Sequence, residues 1–252
     1  MAAAGESDVD AEFTPGGSRI IHGKEPAEGW TAPAEFAPNI EAIEAHLEPF
    51  FGTVTSVIHE IVSDRIHLDV LTFEPREGRE HWLYVTSGMG DLRMTLPDGL
   101  DPADYARAEL CIALPAEWGD ELRTAAPAAG GSRFWPISLM KWLARYPHAA
   151  GTWFGAGHTI PMGEPLGDDT VMDGVLLDHP ASWPEAAQSL RLPAGDWLTF
   201  IAVYPLHPAE MQLKVDEGTD TLRQRLARNR VSEVLDPRRP DATKVRRLFG
   251  LF

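Results

Sequence analysis

Thr53 to Leu71 read TVTSVIHEIVSDRIHLDVL, two β-rich runs on either side of a polar turn. Thr53 to Val62 is mostly β-branched and apolar, which suits a pleated surface, and Ile66, Leu68 and Val70 alternate with His67, Asp69 and Leu71. With Ser63-Asp64-Arg65 as the turn, the two runs predict a hairpin. A third strand, about His81 to Thr86, and a fourth, Ala108 to Leu114 closed by Pro115, follow. Their connections are too short for helical crossovers, so this part of the sheet is predicted to be antiparallel. Upstream, Ile40, Ile43, Leu47 and Phe50 recur at helical spacing between Asn39, a capping residue type, and Gly52. That pattern predicts a helix over 40–51.

Downstream, residues 124–133, TAAPAAGGSR, read as a flexible connection. Pro136 is tolerated in a first helical turn, and Leu139, Trp142, Leu143 and Tyr146 share one face of a helix predicted to end at Pro147, with that stripe against the sheet. Thr170 to Leu177 and Trp197 to Tyr204 read as strands; the second is apolar almost throughout and fits the sheet centre. His207-Pro208-Ala209-Glu210 opens a short helix ended by Gly218, and Asp220, Leu222 and Leu226 begin another. The predicted class is α+β, with a mixed, mainly antiparallel sheet packed with helices. Residues 1–38, rich in Ala, Gly, Pro and acids, read as a largely disordered arm, 39–230 as the folded domain and 231–252 as a basic, apolar tail.

The 252 residues carry 22 Lys+Arg against 38 Asp+Glu, a formal net charge of −16, with 44% hydrophobic and 24% charged residues. That balance supports a core and excludes a wholly disordered or collagen-like chain. The segment from Arg223 to Phe252 has a net charge of +6, leaving −22 for residues 1–222. An acidic body disfavours nucleic acid, because counterion release rewards a basic face. The longest apolar run, Trp197 to Leu206, is half the roughly 20 residues a membrane span needs, so no membrane association is expected. MAAAGESDVD at the start has neither a basic nor an apolar signal region, and a cytoplasmic location is expected. Cys111 stands alone, so neither a disulfide framework nor a multi-cysteine zinc site is expected, and its strand setting suggests a buried inert thiol. The tail from Lys244 to Phe252 joins charge to apolar groups, which suits a docking peptide, an anionic surface or a tail folded onto its own acidic body.

Chemical motifs are sparse. No Walker A loop occurs, and Gly155-Ala156-Gly157-His158 lacks the third glycine of a dinucleotide fingerprint, since Ile160 stands there. Ser87 lacks the preceding glycine of a nucleophile elbow and reads as a turn serine. His59-Glu60 has no second histidine at metalloprotease spacing, and Asp173, Asp178 and His179 are separated by a strand's pleat, so no metal site is expected. No cofactor is implied. An enzyme would need His158, Asp173 and Ser87 to converge from distant segments.

Four segments together resemble the suppressor of fused domain family. Leu83-Tyr84-Val85-Thr86-Ser87-Gly88-Met89-Gly90-Asp91, followed by Met94 and Pro97, is similar to the family's strand ending in a T-x-G-M turn. Ala108 to Pro115 with Trp118 is similar to its E-L-x-I-x-L-P strand and following tryptophan. Trp135-Pro136, through Leu143 to Tyr146, to Gly157-His158-Thr159-Ile160 resembles its helix and G-H-T loop. Ile201 to Leu206, ending in Tyr204-Pro205-Leu206, and the short helix around Glu210 complete the match, which runs from about Ile40 to Arg230. The resemblance implies an α/β sandwich that binds proteins without turnover. It gives Thr86, Gly88, Met89, Trp118, Trp135, Pro136, Gly157, His158, Tyr204 and Pro205 structural or partner-binding roles. Animal members hold a transcription-factor peptide between this domain and a C-terminal one. Only 22 residues follow Arg230, too few for that second domain, so the animal partner is not carried over. Stand-alone bacterial relatives resemble immunity proteins that neutralise a toxin, which implies a protein partner such as a basic toxin domain. The alternatives are a scaffold module of a secretion or phage-derived assembly, and the scattered-residue enzyme.

Overall fold

The computed structural model describes residues 11–25, 31–33, 37–60, 63–119, 122 and 133–244. Expectations for residues 1–10, 26–30, 34–36, 124–132 and 245–252 lie outside them. Strands β1 (Ser56–Ile58), β2 (Asp69–Phe73), β3 (His81–Ser87) and β4 (Arg107–Pro115) form an antiparallel meander. Ile58 pairs with Val70, which centres the hairpin on Asp64 in the predicted turn, and Arg65 takes a left-handed φ of 64° there. The ladder starts only at Ser56, so the first strand is shorter than its β-branched run.

The second half of the chain adds β5 (His158–Pro161), β6 (Gly174–Asp178), β7 (Ser189–Arg191) and β8 (Trp197–Leu206). The sheet order is β1-β2-β3-β4-β8-β6-β5, with β7 beside the start of β8. β8 therefore lies inside the sheet, parallel to β4 and antiparallel to β6 and β7, as its apolar run predicts. β5 and β7 were not anticipated: His158 begins the terminal strand instead of lying in a loop.

Five helices are described: α1 (Ile40–Phe51), α2 (Pro102–Tyr105), α3 (Trp135–Ala150), α4 (Pro208–Glu217) and α5 (Thr219–Arg228). Along β8 the pleat sends Leu198, Phe200 and Ala202 into the layer with Ile43, Leu47 and Phe51 of α1, and Ile201 and Val203 into the layer with Ile137, Met140 and Leu143 of α3. A smaller cluster joins Leu206 and Leu176 to Leu222 and Leu226 of α5. The result is a sheet sandwiched between helices. Two helix details differ from the periodicity. Trp142 is 44% exposed, because the buried face of α3 runs through Ile137, Met140, Leu143, Ala144 and Pro147. The helix also continues through Pro147 and ends at Gly151, whose φ of 59° closes an αL cap with Thr152 N donating to Pro147 O at 2.9 Å.

The predicted limits of the folded unit are too narrow at both ends. Residues 11–25, read as part of a disordered arm, lie against the body. Gly16 N donates to Val215 O of α4, and Lys24 N donates to Ala150 O of α3, both at 2.8 Å. A Cβ on Gly16 would come within 2.2 Å of Gly218 N, so this approach requires glycine. At the other end, residues 231–244 of the expected tail are built in. Leu235 N bonds Ala113 O at 2.8 Å, and Arg239 forms a buried ion pair with Glu210.

Candidate functional site

The residues singled out by the resemblance do not gather at one point. Thr86, Gly88 and Met89 surround Glu109, a fully buried carboxyl on β4. Gly88 N and Gly90 N donate to its Oε1 at 2.8 and 2.9 Å, and Thr86 Oγ1 donates to Oε2 at 2.6 Å while accepting from Leu110 N. Burial pushes Glu109 up to about 7 against the pull of these three donors, with Asp91 adding to the rise. Gly88 sits at φ 128°, and a Cβ there would come within 1.9 Å of His67 O. Met89 is buried, and its carbonyl accepts from His148 Nε2 at 2.9 Å. The turn is thus bolted to β4 and α3 from within. Beside it, Asp196 takes a two-pronged bond from Arg93 and a third from Arg107 Nε, which together hold its carboxyl down at about 2.

Trp118 and Trp135 meet edge-on with centroids 6.4 Å apart, Trp135 Nε1 donates to Asp169 Oδ1 at 3.1 Å, and Pro136 is buried in the first turn of α3. Tyr204 and Pro205 lie on β8. Tyr204 donates to His179 O at 3.2 Å, burial pushes its hydroxyl above the usual tyrosine range, and Pro205 O accepts from Arg239 at 2.9 Å. These groups hold elements together.

Gly157 and His158 are placed differently. A groove of about 600 Å³ runs between residues 14–23, α4 and β5. Trp153, Phe154, Ile160 and Met211 supply apolar surface, and His158, Thr159 and Lys214 supply polar groups. β5 ends the sheet, so one side of its backbone has no strand neighbour in the sheet order, and Pro161 is tolerated there for that reason. His158 meets Trp153 edge-on at 4.6 Å and accepts from Gly155 N at 3.3 Å. Burial and the nearby Lys214 push it down to about 4, so it is neutral at pH 7. Gly157, at φ 87°, turns the chain into β5, close to Thr219 and Arg223.

Asp173 also lines the groove, so two of the three scattered candidates for an enzyme meet there. Ser87 does not, since β3 is four strand positions from β5, roughly 19 Å. Among the described residues no group of three or more His, Cys, Asp or Glu is arranged to hold a metal ion. Sequence reasoning missed Lys214, Trp153, Met211 and the N-terminal segment as groove residues, because they come from three separate stretches of chain. It also passed over Glu109, although a charged residue inside ALCIALP-like apolar surroundings was a visible signal.

The model of the suppressor of fused protein (SUFU) family matches residues 64–240, more than half of the chain, and the chain belongs to that family. No curated protein matches it. Among solved structures it is similar to a suppressor of fused homologue from Neisseria gonorrhoeae, with 16% identity over 80% of this chain and 95% of that one and a TM-score of 0.52. It is similar to a chain of the Sufu-Fu complex, with 16% identity over 82% and 93% and a TM-score of 0.57. It also resembles Drosophila Suppressor of Fused, with 17% identity and a TM-score of 0.55, covering 82% of this chain and 51% of that one. At these identities the likeness is one of fold. No helix among the described residues is long and apolar enough to cross a membrane.

Proposed function

We propose that this chain is a non-catalytic protein-binding domain that takes up an extended segment of its partner along β5, and that it serves as an immunity-type protein neutralising a toxin. The observation that carries the reading is the apolar groove of about 600 Å³ beside the open side of the terminal strand. An extended peptide gains main-chain hydrogen bonds from such an edge and specificity from pockets for alternate side chains. The Sufu-Fu complex, whose chain shares this fold, supports a protein as the kind of partner. The immunity role rests on the net charge of −16, which complements a basic toxin and speeds its encounter.

The test is co-purification of the full chain with the product of the neighbouring gene, followed by rescue of growth when that product is toxic. Gln212 is exposed on the groove wall, so Gln212→Trp obstructs the groove without disturbing the core. Rescue by the native chain and its loss in the folded Gln212→Trp variant are expected. Rescue that survives the obstruction moves the binding face elsewhere, and turnover of a small molecule by the purified protein removes the non-catalytic reading.

A further inference from the structure

Lys214 sits in α4 with 8% of its surface exposed, yet it lines both the main groove and the adjoining cavity of about 870 Å³. Its Nζ donates to Thr159 Oγ1 of β5 at 3.0 Å, and no carboxylate among the described residues forms an ion pair with it. Asp173 lines the same groove and Asp98 the adjoining cavity without pairing with Lys214, and the charged groups on the helices around it are already engaged. Arg223 is committed to Asp178 and Asp220, and Glu210, one turn away on the same helix, is committed to Arg239. A buried ammonium has three protons to place, and one hydroxyl satisfies only part of that demand. Burial and Arg223 lower its affinity for the proton, as an uncompensated cation requires.

Taking the groove as the partner-binding site, we infer that Lys214 and Thr159 form a receptor for a single carboxylate, supplied by an Asp or Glu side chain of the partner's extended segment. Thr159 belongs to the strand along which that segment would lie, so main-chain pairing and charge recognition act on neighbouring residues of the same peptide. The carboxylate completes the coordination of the ammonium inside a partly desolvated groove, where a charge-assisted bond is stronger than at the surface. Asp173 also lines the groove and opposes a run of acids, so one acidic residue among apolar ones is favoured over an acidic tract.

The probe is a set of 12-residue peptides selected against the full-length chain from a display library in which the peptide C-terminus is fused, so that a carboxylate comes from a side chain. The expected result is an Asp or Glu recurring at one position. Replacing it by Asn or Gln should weaken binding to the native chain by about tenfold to a hundredfold, the range of a hydrogen bond to a charged group. Against Lys214→Met, whose side chain preserves the apolar stem, the same replacement should change affinity by less than about threefold. Peptides that bind the groove, as judged by loss of binding to Gln212→Trp, but carry no acidic residue coupled to Lys214 overturn the carboxylate receptor alone. Peptides that bind Gln212→Trp as well as the native chain, or failure to select any, overturn the groove reading and the receptor with it. If Lys214→Met fails to fold, Lys214→Arg decides. It keeps the charge with a different shape, so the acid-dependent term should persist, and its disappearance counts against the assignment.

Discussion

At Glu109 two effects oppose each other: burial favours the neutral acid, while Thr86, Gly88 and Gly90 favour the anion. With a folded-state value near 7, raised from 4.5, the neutral form contributes stability that is fully present below pH 4.5 and lost as pH rises through about 7. When protonated, Oε2 donates to Thr86 Oγ1, and the hydroxyl turns to Leu110 O at 3.4 Å. Urea titrations between pH 4.5 and 8.5 should show stability falling by up to about 3 kcal/mol from this residue. Glu109→Gln, a permanent mimic of the neutral acid, should remove that slope. Gly88→Val should cost on the order of 4 kcal/mol, since strain at φ 128° adds to a clash with backbone. A Gly88→Val protein that melts like the native one while losing its partner would transfer this turn from the scaffold to the binding face.

Among the elements, those with a sustained pattern were legible. The stripe from Ile40 to Phe50, bounded by Gly52, marks α1 to the residue, and the almost unbroken apolar run of β8 announces a strand buried on both faces. β5 and β7, of four and three residues, are too short to show alternation. The outward turn of Trp142 depends on where α3 meets the sheet, which no local spacing records. The groove was least legible of all, because its walls come from residues 14–23, β5, α4 and the turn after α3; His158 was singled out by resemblance and not by its neighbours. The C-terminal staple was hidden in the same way. Glu210 is fully buried, accepts from His207 N and Ala242 N, and is gripped by both terminal nitrogens of Arg239. Removing one partner leaves a buried charge uncompensated, so Arg239→Met should cost about 3–5 kcal/mol in urea unfolding. A loss below about 1 kcal/mol would mean that residues 231–244 contribute little to holding α4 in place.

At the scale of the molecule, the core layers begin at Ile43 among the described residues, and residues 11–25 touch the body by a few backbone bonds and close glycine contacts. Removing residues 1–25 should therefore leave a cooperative melt, with a loss well below that of deleting a core side chain. The same deletion takes away one wall of the groove, so partner binding should suffer more than stability does. If the acidic body steers the encounter, raising salt from 0.1 to 1 M should slow association far more than it speeds dissociation. The Debye length falls from about 10 Å to about 3 Å over that range. The parallel pairing of β4 with β8 has a consequence for how the protein is made. Arg107 meets Leu198 across about ninety residues of intervening chain, while β1 to β4 can assemble from neighbours as soon as they leave the ribosome. Until β8 emerges, β4 offers a nine-residue, largely apolar edge to any passing strand, including that of another nascent chain. Stalled chains ending near Leu122 should accordingly recruit chaperones or aggregate, and pulsed hydrogen exchange during refolding should protect the β2–β3 ladder before the β4–β8 ladder.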